Sequence, residues 1–291
     1  MKLDKKNAAW MALAGGLIIF GLKLAAWFLS GSVALLSDAL ESIVNLLASG
    51  MMLYAVYLSA EPADRRHNYG HQKVENISSL VEGLLILMAA VLIAETAVRR
   101  LIQPTALTNI DAALLVSLAA TSLNALLAWL LMKTARKFDS MALEGDSKHL
   151  FSDVLSSLAV AFGLILARST GWYFLDSVLA LAVSALLIKM AVWLIKKSAA
   201  GLMDQACPQA EARIIEVLRR HDRLFLDYHD IKTRRSGRKV FAELHLSMNG
   251  DKTIQEAHRI TDRLESELNQ ESPEISLTIH METLRPLIKH G

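Results

Sequence analysis

Six long apolar stretches occupy the first two thirds of the chain, and each holds about 20 residues. They are Ala8–Leu29, Val33–Leu58, Ile77–Val98, Ala112–Met132, His149–Ala167 and Trp172–Ile195. A helix of about 20 residues spans roughly 30 Å, the thickness of the hydrocarbon core of a bilayer. The first stretch lacks a signal-peptide cleavage pattern and leads directly into the second, so we expect it to remain in the mature protein. The pattern therefore predicts six transmembrane helices.

After residue 207 the spacing of the apolar positions changes. Gln209–Arg220 and Thr253–Asn269 place apolar residues every three or four positions, which predicts amphipathic helices. Alternation of apolar and polar residues predicts three strands, at Phe225–Thr233, Lys239–Met248 and Ile275–Met281. A turn at Arg235–Gly237 would join the first two. The order αββαβ predicts a cytoplasmic α+β domain, residues 208–291, after a six-helix transmembrane domain, residues 1–207.

Composition agrees with a membrane domain joined to a soluble one. Hydrophobic residues make up 53% of the chain and charged residues 21%, with a mean hydropathy of +0.33. The net charge of +2 gives no indication of a nucleic-acid partner. The single cysteine, Cys207, excludes a disulfide framework and a zinc finger built from several thiolates. Any bound metal must therefore be held by histidines and carboxylates.

The distribution of lysine and arginine predicts the orientation in the membrane, because these residues favour cytoplasmic loops. The outer loops would hold only Arg99, Arg100 and Arg168. With the N-terminus inside, the inner segments would hold Lys2, Lys5, Lys6, Arg65, Arg66, Lys73, Lys133, Arg136, Lys137, Lys148, Lys196 and Lys197. We therefore expect both termini in the cytoplasm of a multi-pass protein of the inner membrane.

Two apolar stretches carry polar side chains that could bind a cation within the membrane. The second contains Asp38, Glu41 and Asn45, at steps of three and four that put them on one helix face. The fifth begins with His149 and Asp153, four residues apart, which is a metal-ligand spacing. An ordinary polar contact between helices is the alternative. Further charges in the stretches are interpreted as structural: Lys23, Glu82, Glu95, Asp176 and Lys189.

Two further groups of candidate ligands lie outside the stretches. Asp64, His67 and His71 follow one another at steps of three and four in the loop after the second stretch, although they could be an ordinary solvated loop. Six of the nine histidines lie in the C-terminal domain: His221, His229, His245, His258, His280 and His290. His280 and Glu282, two apart on a predicted strand, would face the same side.

These motifs together resemble the cation diffusion facilitator family of divalent-metal/proton antiporters, over essentially the whole chain. The resemblance rests on Ser37–Leu40, Tyr69–Glu75, the His149/Asp153 pair and Leu202–Asp204. It implies a homodimer in the lipid bilayer, with six helices and a ferredoxin-like cytoplasmic domain. The metal would be substrate and regulator, with no prosthetic group: Zn²⁺, Fe²⁺, Mn²⁺, Co²⁺ or Cd²⁺.

The resemblance also implies roles for individual residues. The transport site would be Glu41, Asn45, His149 and Asp153. The loop site of the zinc and iron branch would be Asp64, His67 and His71, and the cytoplasmic site would be His229, His245, His258, His280 and Glu282. Lys73 and Asp204 would form a charge interlock. One departure is Asn45, because the related branches have aspartate there and an amide cannot release a proton.

Two other functions remain as alternatives. An intramembrane metalloenzyme is disfavoured, because the chain has no HExxH motif and offers no evident general base beside an open metal position. A membrane-bound metal sensor or scaffold would bind ions without moving them, and the neutral Asn45 keeps this alternative open. We expect an exporter of divalent transition metals that exchanges cytoplasmic metal for protons, and not an enzyme.

Overall fold

The computed structural model describes residues 4–30, 33–102, 111–170 and 174–283. It divides into two compact units, Met1–Ala199 and Ala200–Gly291. The described residues up to Leu202 form six long helices, the last of which ends just past the first unit: α1 (Lys5–Ser30), α2 (Val33–Ser59), α3 (Val74–Ile102), α4 (Asp111–Phe138), α5 (Met141–Thr170) and α6 (Phe174–Leu202). Inside these helices many side chains, among them those of Glu41 and Asp176, lie outside the described part of the structure.

Four segments among the described residues are long and apolar enough to cross a membrane. They are Lys5–Ala25, Val74–Arg99, Leu118–Phe138 and Ser177–Leu202, in α1, α3, α4 and α6. The described apolar part of α2, Asn45–Ser59, is shorter. The chain therefore has a helical membrane domain, and the crossing of all six helices stays a prediction.

Helix α5 begins at Met141, well before the predicted start at His149. Its first turns carry Glu144, Asp146 and Lys148, so a search for apolar residues does not detect them. Asp139 adopts a positive φ of 50° in the turn after α4, and the backbone N–H of Glu144 donates to the Ser140 carbonyl as the new helix starts. His149 therefore lies two turns inside α5 rather than at its end.

Small side chains allow the helices of the first unit to approach closely. Ala8, Ala9 and Ala12 of α1 are buried in a core shared with α2, α4 and α5. A second core joins α3 to α6 through Ile86, Ala90 and neighbouring leucines of α6. At Gly145 of α5 an added Cβ would lie 2.9 Å from Ser79 Oγ and 3.2 Å from Glu82 Cγ of α3. The absence of a side chain at Gly145 is thus what lets α3 pack against α5.

Glu75, at the start of α3, ties several helix ends together. Its Oε1 accepts hydrogen bonds from Lys5 Nζ of α1 at 2.9 Å and from Ser59 Oγ of α2 at 2.7 Å. Its Oε2 accepts from the hydroxyl of Ser140, in the turn between α4 and α5. A buried carboxylate is costly unless it is paired, and these three donors satisfy it.

The second unit follows the predicted order αββαβ. It consists of α7 (Pro208–Arg220), β1 (Asp227–Ser236), β2 (Lys239–Met248), α8 (Ile254–Glu271) and β3 (Ile275–Thr283), with a short 3₁₀ turn at Asp222–Leu224. The strands form a sheet in the order β1-β2-β3, antiparallel between β1 and β2 and parallel between β2 and β3. The unit is an α/β domain, and its ferredoxin-like classification stays a prediction.

The sheet of the second unit has one buried apolar face and one polar face. Leu244 and Leu246 of β2 are fully buried with Ile214 of α7 and with Leu264 and Leu268 of α8. The intervening β2 residues point to the opposite side, as the pleat requires. Both helices therefore cover one face of the sheet, and the face that carries the strand histidines is the other one.

Candidate metal sites

Asn45, His149 and Asp153 meet between α2 and α5. Asn45 Nδ2 donates a hydrogen bond to Asp153 Oδ2 at 2.6 Å, and Asn45 Oδ1 lies 2.9 Å from His149 Nε2. His149 is buried, whereas Asn45 and Asp153 are half-buried. We call these three residues the α2–α5 site. The side chains of Glu41 and Asp38, which the sequence also suggested, lie outside the described residues.

The amide of Asn45 links the two other members of the α2–α5 site. An amide is both donor and acceptor, so it can satisfy an imidazole and a carboxylate at once without adding a charge. The site offers an imidazole nitrogen in contact with the amide oxygen, and a carboxylate that accepts a hydrogen bond from the amide nitrogen. Such a donor set suits a divalent transition metal. Its oxygen ligands favour harder ions than the thiolate ligands of a cysteine site would.

Two buried carboxylates adjoin this group. Asp146, one turn before His149 on α5, accepts a hydrogen bond from Ser49 Oγ of α2 at 3.0 Å. Glu82 of α3 is fully buried, and its Oε2 lies 4.0 Å from His149 Nδ1. Sequence reasoning did not select Asp146 and interpreted Glu82 as structural. One signal could have identified Asp146: it shares a face of α5 with His149 and Asp153, at steps of three and four.

The loop between α2 and α3 brings Asp64, His67 and His71 together. Asp64 Oδ1 lies 3.4 Å from His67 Nδ1, Asp64 Oδ2 lies 3.6 Å from His71 Nε2, and the ring centroids are 4.3 Å apart. One ligand atom from each residue lies within 4.8 Å of the others. The three residues, here called the loop site, therefore have the geometry to bind one ion.

The carboxylate of Asp64 also shapes the loop that carries the site. Its Oδ1 accepts the backbone N–H groups of Arg66 at 2.8 Å and His67 at 2.6 Å. These hydrogen bonds from His67 and Arg66 hold the pKa of Asp64 below its usual value. Gly70, with φ of 83°, supplies a positive φ that returns the chain toward His71. The carboxylate is thus preorganised in its charged form.

In the C-terminal unit, His229, His245 and Glu282 form a third cluster, the sheet site. His229 Nε2 lies 3.2 Å from Glu282 Oε1, and His245 Nδ1 lies 3.5 Å from Glu282 Oε2. The sheet register explains the proximity, because His245 pairs with His229 of β1 and with His280 of β3. These residues share the polar face of the sheet and can bind one ion.

Electrostatics around the sheet site favour charged carboxylates. Burial raises the pKa of Glu282, but a hydrogen bond from Ser247 and the nearby His229 and His245 bring it below its usual value. A bulge in β1 places Asp230 at a positive φ of 52°, with Oδ2 3.9 Å from His245 Nε2. A hydrogen bond from Lys232 lowers the pKa of Asp230. Asp230 was missed, because a bulge leaves no trace in the alternation of residues.

The remaining members of the predicted cytoplasmic site are placed differently. The ring of His280 lies 4.7 Å from that of His245, centroid to centroid, so His280 borders the sheet site. His258 lies on α8, where its side chain is 67% exposed and 3.6 Å from Asp262. Within one chain His258 does not belong to the sheet site, and its role as a ligand stays a prediction.

The predicted charge interlock joins residues of two different units, Lys73 and Asp204, and it stays a prediction. Within the C-terminal unit, Asp204 has a positive φ of 56° and its Oδ2 lies 3.9 Å from Arg234 Nη1. Lys73 lies at the end of the loop between α2 and α3, where its backbone carbonyl accepts the N–H of Asn76.

Comparisons with known proteins cover both units. Residues 9–203 match the cation efflux transmembrane domain, and residues 208–284 match the cytoplasmic domain of cation efflux proteins. An uncharacterized transporter of Synechocystis sp. is 35% identical over 95% of this chain and 89% of its own length. The cation-efflux pump FieF of Shewanella oneidensis is 29% identical over 96% of this chain and 94% of its own.

Among solved structures, the metal-bound C-terminal domain of the CzcD transporter from Thermotoga maritima is 28% identical, covering 27% of this chain and 92% of that one, with a TM-score of 0.26. The matches to the two family domains span nearly all of the chain, in the order that the two units have. The metal-binding geometry and the apolar helices fit this assignment. The chain belongs to the cation diffusion facilitator family of cation efflux proteins, which are membrane transporters and not enzymes.

Proposed function

We propose that this protein exports a divalent transition metal from the cytoplasm in exchange for protons, with the α2–α5 site as its transport site. The observation that carries the proposal is the meeting of Asn45, His149 and Asp153 between two helices of the membrane domain. Ionisable groups inside a membrane domain are costly and mark ion pathways in transporters. Glu41, one turn before Asn45 on α2, is proposed as the fourth ligand.

Exchange with protons follows from the chemistry of the ligands. His149 Nε2 can bind metal only when it carries no proton, and Asp153 must be ionised. Binding from the cytoplasm therefore releases protons, and protons arriving from the outside displace the ion. Alternating access of the site to the two sides of the membrane would couple the proton gradient to export. Asn45 contributes an oxygen ligand but no exchangeable proton.

The donor set leaves several metals as candidate substrates. One imidazole with carboxylate and amide oxygens suits Mn²⁺ and Fe²⁺ as well as Zn²⁺, Co²⁺ or Cd²⁺. We propose that the substrate is one of these five ions. The similarity to a cation-efflux pump over nearly the full chain supports export rather than uptake.

The loop site and the sheet site are proposed as regulatory metal sites on the cytoplasmic side. The excess of lysine and arginine in the loop between α2 and α3 and at both ends of the membrane domain supports this orientation in the inner membrane. The match of residues 208–284 to the cytoplasmic domain of cation efflux proteins supports a homodimer that forms through this domain. Lys73 and Asp204 would couple its metal binding to the membrane domain.

Proteoliposomes containing the full chain provide the test. An imposed gradient of each of the five metals should drive counterflow of protons, reported by an internal pH-sensitive dye. Asp153→Ala should abolish the flux, because it removes the carboxylate of the site. Equal flux by wild type and Asp153→Ala would reject the site. Metal binding without flux, for every metal, would instead favour a sensor or scaffold, the alternative that the neutral Asn45 supports.

A further inference from the structure

Glu82 of α3 is a buried carboxylate that no part of the proposed function has used. Its side chain has no exposed surface, and within the described residues neither of its oxygens has a hydrogen-bond partner. The helix around it is apolar over most of its length. A carboxylate in such surroundings is costly unless a charged partner compensates for the loss of water. Its presence therefore calls for a partner within reach.

The partner that the geometry offers is His149. Glu82 Oε2 lies 4.0 Å from His149 Nδ1, while Asn45 Oδ1 lies 2.9 Å from His149 Nε2. One ring nitrogen thus faces α3 and the other faces the α2–α5 site. When a histidine binds metal through one nitrogen, the other commonly donates its N–H to a carboxylate, which fixes the tautomer and the orientation of the ring.

The helix packing makes room for this carboxylate. A Cβ on Gly145 of α5 would lie 3.2 Å from Glu82 Cγ and 3.1 Å from the Cα of Ser79. The backbone of α5 therefore comes close to α3 about one turn before His149, beside the side chain of Glu82. This close approach is independent of the distance between Glu82 and His149, and it points to the same role.

Taking the proposed transport function as given, we propose that Glu82 is a positioning residue of the transport site. When metal binds, the 4.0 Å between Glu82 Oε2 and His149 Nδ1 closes to a hydrogen bond in which the carboxylate accepts the Nδ1–H. This holds Nε2 toward the metal and supplies next to the site the negative charge that Asn45 lacks. Glu82 does not touch the metal in this arrangement. It acts on affinity for the ion through the orientation of the ring and through its charge.

This role predicts a specific kinetic signature in proteoliposomes with Zn²⁺ and Mn²⁺ as probes. Glu82→Gln keeps the shape but removes the charge, and it should raise the KM for metal by about 10- to 100-fold with a smaller change in kcat. Adding Asn45→Asp to Glu82→Gln returns a carboxylate to the site. The double variant should recover more affinity than Asn45→Asp adds to the wild type, which the additive effects of a purely structural role of Glu82 would not allow.

Glu75→Gln is the matched control, because Glu75 is also a buried glutamate of α3 but contacts Lys5, Ser59 and Ser140 instead. Glu75→Gln should leave KM for metal unchanged. Adding Asn45→Asp should not alter the effect of Glu75→Gln on thermal stability. A wild-type KM in Glu82→Gln, or a loss that Asn45→Asp does not reverse, would overturn the proposal.

If Glu82→Gln does not fold, Glu82→Asp keeps the charge but shortens the reach to His149, and it must still raise KM. If the wild type itself shows no flux with any metal, the transport function fails separately. The affinities of the purified full-length variants for Zn²⁺ and Mn²⁺, measured by calorimetry, then decide: equal affinity of wild type and Glu82→Gln overturns the role of Glu82.

Discussion

Asn45 donates a hydrogen bond to Asp153 across the interface of α2 and α5, over a distance of 2.6 Å between Nδ2 and Oδ2. The amide therefore holds the carboxylate of Asp153 in place while its oxygen contacts His149. An aspartate at position 45 would put two carboxylates in contact, and these repel each other until a proton or a cation lies between them. The residue at position 45 therefore affects how protons and metal ions compete for the α2–α5 site.

We first predict that Asn45→Asp strengthens metal binding at the cost of stability without metal. The repulsion between the two carboxylates should lower the thermal midpoint of the metal-free protein, and bound metal should raise the midpoint more than in wild type. Thermal unfolding in detergent, with and without Zn²⁺ or Mn²⁺, measures both effects. Asn45→Ala removes the hydrogen bond without adding charge and serves as the control. An identical metal-induced shift in Asn45→Asp and wild type would contradict the prediction.

A second prediction separates the histidines of the C-terminal unit. His245→Ala should weaken metal binding by at least about tenfold, because His245 lies at the centre of the sheet site. His258→Ala should leave binding by His229, His245 and Glu282 unchanged, since His258 is exposed on α8. Zinc titration against a competing chelator measures the affinity.

In this titration every sample of the full chain should also carry Asp153→Ala and His71→Ala, which weaken the α2–α5 site and the loop site. Equal losses in the two variants would mean that His258 is a ligand.

The packing of α3 against α5 gives a third prediction. Gly145→Ala should destabilise the protein by about 1–3 kcal/mol, because the new Cβ meets Ser79 and Glu82. Gly50→Ala is the control, since nothing lies within 4 Å of a Cβ at Gly50 of α2. That change should be neutral or stabilise by up to about 1 kcal/mol through helix propensity. Thermal midpoints of both variants in the same detergent provide the measurement, and equal shifts would contradict the packing argument.

The fourth prediction concerns acid. Arg220 of α7 donates hydrogen bonds to both carboxylate oxygens of Glu271 of α8, at 2.6 and 2.7 Å, which lowers the pKa of Glu271. The stabilising effect is therefore present above the unfolded-state pKa of about 4.3 and is lost as pH falls through the lower pKa of the folded state. Hydrogen exchange of α7 and α8 in the full chain, corrected for the intrinsic rate, should show a small loss of protection in this range.

In Glu271→Gln the same hydrogen-exchange experiment should show lower protection at neutral pH and a weaker acid dependence. The effect is small because the pair is exposed to solvent and to screening by salt. An unchanged acid dependence in Glu271→Gln would assign the titration to another carboxylate.

The regular elements could be predicted from the sequence because their cause is local. Alternation predicted the three strands, and apolar spacing predicted α8. Thr253 and Glu256 form a capping box at its start, a further local cause of the helix. The start of α5 could not be predicted in the same way, because its first turns are polar and their burial depends on α2 and α3. The spacing of His149 and Asp153 predicted their shared face, whereas their contact with Asn45 required the packing of two helices.

Contacts between segments that are distant along the chain could not be predicted from the sequence. Glu82 is one of several charges within apolar stretches, and nothing in its own helix sets it apart from Glu95. Glu95 is exposed and pairs with Arg99 one turn later, whereas Glu82 faces His149 on another helix. Asp230 was missed for a related reason, since the bulge that turns it toward His245 follows from the register between β1 and β2.

The register that aligns His229 with His245 and His245 with His280 has a thermodynamic consequence for the C-terminal unit. A shift of one residue in β2 would move His245 to the covered face and expose Leu244 and Leu246. The ligands therefore form a site only when the core is also formed, so an ion that binds there stabilises the fold by linkage. At a free metal concentration of about one hundred times Kd, the gain in the free energy of unfolding is about 2.7 kcal/mol. The concentration of free metal around this unit would thus set how often it opens.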